Sequence, residues 1–182
     1  MEQLFQFIFR WYAKRKSLRS KKYRNLSQIK SVIIIFESDF MEKNTLVKGF
    51  IEQLKQEGKD VDAWAFVDKK ETLTSTIAQF RIIGQKDINW LKIPRQKAIT
   101  DMTDKHYDLL IDLHINQNIT NQYLTLFANA ELKVGASLQV YTDVKPNVLD
   151  FMIKLPEHSG AATETDTTEL FNQIIHYLKI IQ

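Results

Sequence analysis

Residues 107–114 read Tyr-Asp-Leu-Leu-Ile-Asp-Leu-His. A short apolar run of this kind predicts a strand over 107–113 that is covered on both faces, as in the middle of a parallel sheet. Upstream, residues 31–36 (Ser-Val-Ile-Ile-Ile-Phe) form a second apolar, β-branched run, again a buried strand. A helix over about 43–57 follows it, with Leu46, Phe50, Ile51 and Leu54 at helical spacing and Gly58 as its stop. Residues 61–67 read as a strand. Residues 77–83 fit either strand or helix, and 88–91 a short strand, before Pro94 breaks the chain and a short helix spans about 95–103. Downstream of the central run, the pattern predicts a helix over 120–130, a strand over 132–134 entering Gly135 and a strand over 148–155. A closing helix over 167–181 carries Leu170, Ile174, Ile175, Leu178 and Ile181 on one face. Strands alternating with helices predict a three-layer, Rossmann-like α/β domain with a mostly parallel sheet over residues 31–182.

The chain has 182 residues, 44% apolar and 26% charged, enough for one ordinary globular domain. It has no cysteine, which excludes a disulfide framework, a thiolate zinc site, an iron–sulfur cluster and a cysteine nucleophile, and suits a reducing, cytoplasmic compartment. No apolar run approaches the roughly 18 residues of a spanning helix.

The net charge of +3 is unevenly divided. Residues 1–30 hold nine basic side chains and one acid, Glu2, a balance of +8; residues 31–182 hold 16 basic and 21 acidic side chains, a balance of −5. Residues 4–12 (Leu-Phe-Gln-Phe-Ile-Phe-Arg-Trp-Tyr) put an apolar arc of about 200° on a helix, broader than a simple amphipathic face. Over 14–24 basic residues lie all around. This predicts a basic, aromatic N-terminal helical arm, hinged near 25–30, whose deletion leaves a folded body. The charges follow the apolar stretch and no small-residue cleavage site follows them, so the arm does not read as a secretory signal. Three readings of it stay open: docking of the aromatics on the body, an interfacial helix on anionic lipid, and a polyanion-binding tail.

The body lacks the familiar catalytic signatures. The five glycines (Gly49, Gly58, Gly84, Gly135, Gly160) support neither G-x-G-x-x-G nor a P-loop. No serine sits in G-x-S-x-G, and the four histidines (His106, His114, His158, His176) show no metal-ligand spacing. No metal, no cofactor and no catalytic residue is therefore expected, and the balance leans away from an enzyme. One constellation stands out at the end of the central strand. Asp112 and His114, two apart on a strand, point the same way, with Asn116 just beyond, where ligands of such folds bind. A base and its orienting acid fit there, as a small-ligand rim. The commoner reading of such a pair is that Asp112 caps a neighbouring helix and His114 is an ordinary loop residue. Glu37, Ser38 and Asp39 follow the first strand on the same rim.

The stretch Tyr107-Asp-Leu-Leu-Ile-Asp-Leu-His114, then a helix and Lys133-Val-Gly-Ala136, resembles the N-terminal half of the heptosyltransferase-like glycosyltransferases. The resemblance extends in outline over residues 31–182. It departs at the first turn, where the family's Gly-Asp is replaced by Glu37-Ser38-Asp39-Phe40, and the family's nucleotide-sugar half has no counterpart up to Gln182. The whole chain also resembles a small family of single-domain proteins in Bacteroidetes.

From charge, the leading expectation is a non-enzymatic RNA-binding protein, bound to the ribosome through rRNA and touching ribosomal proteins, without DNA specificity. Arg10, Lys14, Arg15, Lys16, Arg19, Lys21, Lys22 and Arg24 would contact phosphates and Tyr23 would stack on a base, at about six to eight phosphate contacts. The alternative is a glycosyltransferase-like remnant at the inner membrane surface, working with a partner subunit.

Overall fold

The structure is a computed structural model that describes residues 2–16, 21–38, 42–67, 80–116, 118–138, 147–155 and 164–181. Six strands, β1 (Ser31–Glu37), β2 (Asp60–Phe66), β3 (Arg81–Ile83), β4 (Tyr107–Asp112), β5 (Ala130–Ala136) and β6 (Phe151–Ile153), form one sheet in the order β3-β2-β1-β4-β5-β6. Every neighbouring pair is parallel. Parallel neighbours need crossovers, and helices supply them. Helix α2 (Glu42–Gln56) joins β1 to β2, α3 (Gln96–Asp104) leads into β4, α4 (Ile119–Phe127) joins β4 to β5, and α5 (Glu164–Ile180) follows β6.

The alternation of side chains along the strands divides the core. Val32, Ile34, Phe36, Leu109 and Ile111 face α2 and α5, where Phe50 stacks on Phe171 at 4.0 Å between ring centres. Ile33, Ile35, Trp64 and Leu110 face α3 and α4, against Ala98, Met102 and Leu124. The expected three-layer, Rossmann-like α/β class therefore holds, with a sheet that is parallel throughout. The chain adds β2 and β3 on one side of β1 and β4, β5 and β6 on the other, so the order of progress reverses between β1 and β4 and the carboxyl ends of those two strands form the switch point.

Several element boundaries differ from the sequence pattern. Only residues 151–153 of the expected 148–155 strand pair with β5, because Val148 and Leu149 turn away into a cluster with Tyr123 and Phe127. Residues 88–91 are not a strand: they enter a tight turn closed by a single bridge between Ile88 and Pro94. Of the ambiguous 77–83 segment, Arg81–Ile83 is strand, and 77–79 lie outside the described residues.

The first thirty residues differ most. Helix α1 (Glu2–Lys16) lies across the outer side of α4. Phe9 meets Tyr123 edge-on at 5.3 Å and Tyr12 meets Phe127 edge-on at 5.3 Å. Residues 120–127 of α4 are all buried, between the sheet on one side and α1 on the other. Among the described residues α1 reaches Lys16 and residues 21–25 carry no helix, so the expected basic helix does not run through to Arg24; residues 17–20 lie outside the described residues. Instead Lys21 pairs with Asp150 at 3.1 Å, Lys22 with Glu131 at 3.1 Å, and Arg24 with Asp108 and Glu131, each at 2.8 Å. The Asn25 amide donates to the carbonyls of Lys179 and Ile181. Leu26 and Ile29 are buried in the core. A free basic arm is not what the described part of this segment forms. The apolar face finds α4, and the cations find carboxylates of the acidic body.

Candidate functional site at the carboxyl end of the central strand

Strand β4 ends on Asp112, and the chain turns out of the sheet through Leu113 and His114. Asp112 and His114 are 1% and 2% exposed. The Asp112 carboxylate is held from several sides. Its Oδ1 accepts from the His114 backbone N–H at 3.0 Å and from the His114 ring Nδ1, and its Oδ2 accepts from Thr125 Oγ1 at 2.8 Å. A carboxylate only accepts, so a ring proton sits on Nδ1, and in the neutral imidazole Nε2 is then the acceptor. His114 Nε2 is buried and has no hydrogen-bond partner. An imidazole oriented by a carboxylate, with its far nitrogen free, can take a hydrogen bond or a proton from a ligand hydroxyl.

Two features of neighbouring elements make this arrangement possible. Thr125 is on α4, one turn after Asn121, whose carbonyl also accepts from its hydroxyl. Gly135 on β5 is the register partner of Asp112. A Cβ there would stand 2.9 Å from the Asp112 Cβ, 3.0 Å from its carbonyl oxygen and 3.2 Å from Leu149 Cδ1. The sequence pattern marks Gly135 as the end of a strand but assigns it no part in the site, and it does not mark Thr125 at all. A glycine inside a strand pattern signals a close backbone approach and was the available clue; nothing in the sequence ties Thr125 to Asp112.

The remaining rim residues are placed as follows. Asn116 is exposed beyond His114 and is not brought into the Asp112–His114 pair. Glu37 and Ser38 leave β1 across the switch point, and Ser38 Oγ donates to Asn44 Oδ1 at 2.8 Å while the Asn44 amide nitrogen stays buried and unpartnered. Asp39 lies outside the described residues. On α4, the side-chain amide of Asn121, Gln122 Oε1 and the Tyr123 hydroxyl are also buried without partners. Burial raises the pKa of the Tyr123 hydroxyl. Among the described residues no group of three or more His, Asp or Glu could hold a metal ion.

Away from this pair, a polar hollow of about 410 Å³ is lined by Asp62, Trp64, Arg81, Asp101, Lys105 and Tyr107 among others. Its charges close on one another. Lys105 bridges Asp60 and Asp62 at 2.9 Å each, Tyr107 donates to Asp62 at 2.6 Å, and Arg81 pairs with Asp101 while lying over the Trp64 ring. Burial would lift the Asp62 pKa, but the bonds from Lys105 and Tyr107 hold it below its ordinary value.

Of the basic residues, Arg10 and Lys14 are exposed on α1, and Lys21, Lys22 and Arg24 form the ion pairs described above. Tyr23 is exposed. The side chains of Arg15 and Lys16, and all of Arg19, lie outside what is described.

Residues 6–181 match the profile of a family of unknown function, DUF6913. Among solved structures the chain is similar to E. coli heptosyltransferase WaaC with ADP, at 16% identity and a TM-score of 0.51, over 79% of this chain and 46% of that one. It is also similar to the glycosyl transferase family 9 protein from Veillonella parvula DSM 2008, at 14% identity and a TM-score of 0.48, over 84% of this chain and 42% of that one. The chain thus spans a little under half the length of each. No curated protein gives a significant sequence match. The expected resemblance to one half of a heptosyltransferase-like fold is met. The ribosomal, RNA-binding expectation is overturned. A solved structure that shares the fold is a heptosyltransferase and not a ribosomal protein, and three of the cations assigned to phosphate are paired with carboxylates of the same chain.

Proposed function

This chain belongs to the family of unknown function DUF6913, and from that premise we propose that it is a glycosyltransferase-like sugar-binding half. Its strand-end rim around Asp112 and His114 holds a sugar, or the sugar head group of a lipid.

The observation that carries this reading is the buried Asp112–His114–Thr125 cluster at the carboxyl end of β4, with His114 Nε2 unpartnered. Sugar hydroxyls both donate and accept, and they suit a buried imidazole nitrogen that has no partner within the protein. Strand order supports it too, since the cluster flanks the point where ligands of open parallel sheets bind.

Calorimetric titration with a panel of hexoses, heptoses and their phosphates tests the reading. At least one should bind saturably. His114→Gln should weaken that ligand about tenfold, the loss of one hydrogen bond of about 1.5 kcal/mol. If no sugar binds, or if binding ignores the substitution, the rim is not the site.

A further inference from the structure

The turn at residues 89–93 is held more tightly than a connection requires. Asn89 Oδ1 accepts from the N–H groups of Leu91 and Ile93, the Asn89 carbonyl accepts from Lys92, and the Asn89 N–H donates to the Ile93 carbonyl. Just outside the turn, Arg95 Nε donates to the Ile88 carbonyl at 3.2 Å and the Arg95 N–H to the Asp87 carbonyl at 2.7 Å. Lys92 takes φ +60°, a conformation uncommon for a residue with a side chain. Its carbonyl accepts from Thr120 Oγ1 of α4 at 3.0 Å, which ties the turn to that helix. Displayed on this frame is Trp90, 77% exposed.

The topology puts this turn beside the Asp112–His114 pair. Residues 84–95 connect the carboxyl end of β3 to the start of α3, so they lie along the carboxyl edge of the sheet, where β4 delivers His114. They also share its face. Leu110 and Asp112, two apart on β4, point to the side covered by α3 and α4: Leu110 clusters with Ala98 and Leu124, and Asp112 bonds Thr125. Leu91 and Ile93 belong to one apolar cluster with Ile119 and Tyr123 of α4. Thr120, which holds the turn, precedes Thr125, which holds Asp112, by about 7.5 Å along the helix axis. One helix thus spaces the tryptophan turn from the imidazole.

We propose that Trp90 is the stacking wall of the sugar site. This rests on the reading that the rim at His114 binds a sugar, and adds which part of the ligand is selected. A pyranose carries hydroxyls around its edge and C–H groups on its faces. Small-ligand sites combine aromatic surface with a few placed polar groups. Here the imidazole takes a hydroxyl, and the indole covers a C–H face. An indole offers a large, rigid contact at low side-chain entropy. The bonded turn orders it before the ligand arrives, so little freedom is lost on binding. The site therefore favours sugars with one face clear of axial hydroxyls.

The test titrates the full chain with the hexoses and heptoses named above, and with maltose and lactose, by calorimetry and by tryptophan emission. A sugar that binds should change the emission. Trp90→Phe should abolish that change yet keep the affinity within about threefold, because a ring remains. Trp90→Ala should weaken binding about tenfold, the upper end of what an aromatic contact contributes. Epimers with an axial hydroxyl on the stacked face should bind less well than the parent sugar, and Trp90→Ala should erase the difference. Trp90 is exposed and its turn is bonded through Asn89 and the backbone, so an unchanged thermal transition would establish that both variants fold. Binding that weakens in His114→Gln but not in Trp90→Ala overturns this inference and leaves the rim reading standing. An emission change whose affinity ignores His114→Gln would put the sugar on Trp90 alone and overturn both, as would the absence of any binding.

Discussion

Gly135 governs how closely β5 approaches the candidate site. Its missing Cβ is the space that Asp112 and Leu149 occupy, and all three close contacts are to atoms of packed or backbone groups. Gly135→Ala should therefore destabilise the fold by about 1–3 kcal/mol, the usual penalty for overpacking, seen as a lower urea midpoint with unchanged slope. Asp112→Asn probes the same spot differently. The amide has one acceptor oxygen where the carboxylate serves the His114 ring, the His114 backbone and Thr125. The proton should then no longer be confined to Nδ1, and the imidazole ¹⁵N shifts should show the tautomer change; an unchanged spectrum would mean that Asp112 does not set the ring. The pair itself was legible, because residues two apart at a strand end share a side. Thr125 was not, since it reaches Asp112 from the next helix.

At the scale of elements, the informative pair is α1 and α4. Phe9 is enclosed by the sequence-distant Tyr123, and Phe9→Ala should cost about 3–5 kcal/mol in chemical unfolding. Phe7→Ala, one face away, should stay within about 0.5 kcal/mol. Equal effects would mean that α1 is not seated as described. This bears on the expectation that a body without residues 1–30 folds unaided: that cut would bare Tyr123 and Phe127 and remove buried Leu26 and Ile29. The sequence carried half of this message. An apolar arc too wide for one face marks α1, and Ile-Thr-Asn-Gln-Tyr-Leu-Thr-Leu-Phe, with apolar residues on several sides, marks α4 as covered twice. What one sequence does not reveal is that each helix is the other's cover. The buried strands β1, β2 and β4 were legible because their apolar runs are long. Of the short edge strands, β3 was ambiguous and β6 was read too long, because pairing with a neighbour, rather than local pattern, decides where they stop.

Taken whole, the molecule neutralises its own charge division. Asp108 accepts from the backbone N–H groups of Lys30 and Ser31 and from Arg24. Burial pushes its pKa up, but those partners hold it below the ordinary value; Glu131, beside Lys22 and Arg24, is lowered in the same way. A carboxylate with a lowered folded pKa contributes stability that is present above its unfolded pKa and is lost as pH falls through the folded one. Stability should thus decline on acidification below about pH 4.5, and Asp108→Asn should flatten that decline in an acid titration followed by circular dichroism. A slope identical to the parent's would show that Asp108 contributes nothing to it. The seat of α1 also has a consequence in time. Phe9 and Tyr123 are 114 positions apart, so at about 5–20 residues per second α1 is complete roughly 6–23 s before its partner exists. During synthesis its apolar side must stay uncovered or be sheltered by something else, and the outermost layer of the finished protein is among the earliest parts made and the last to be closed.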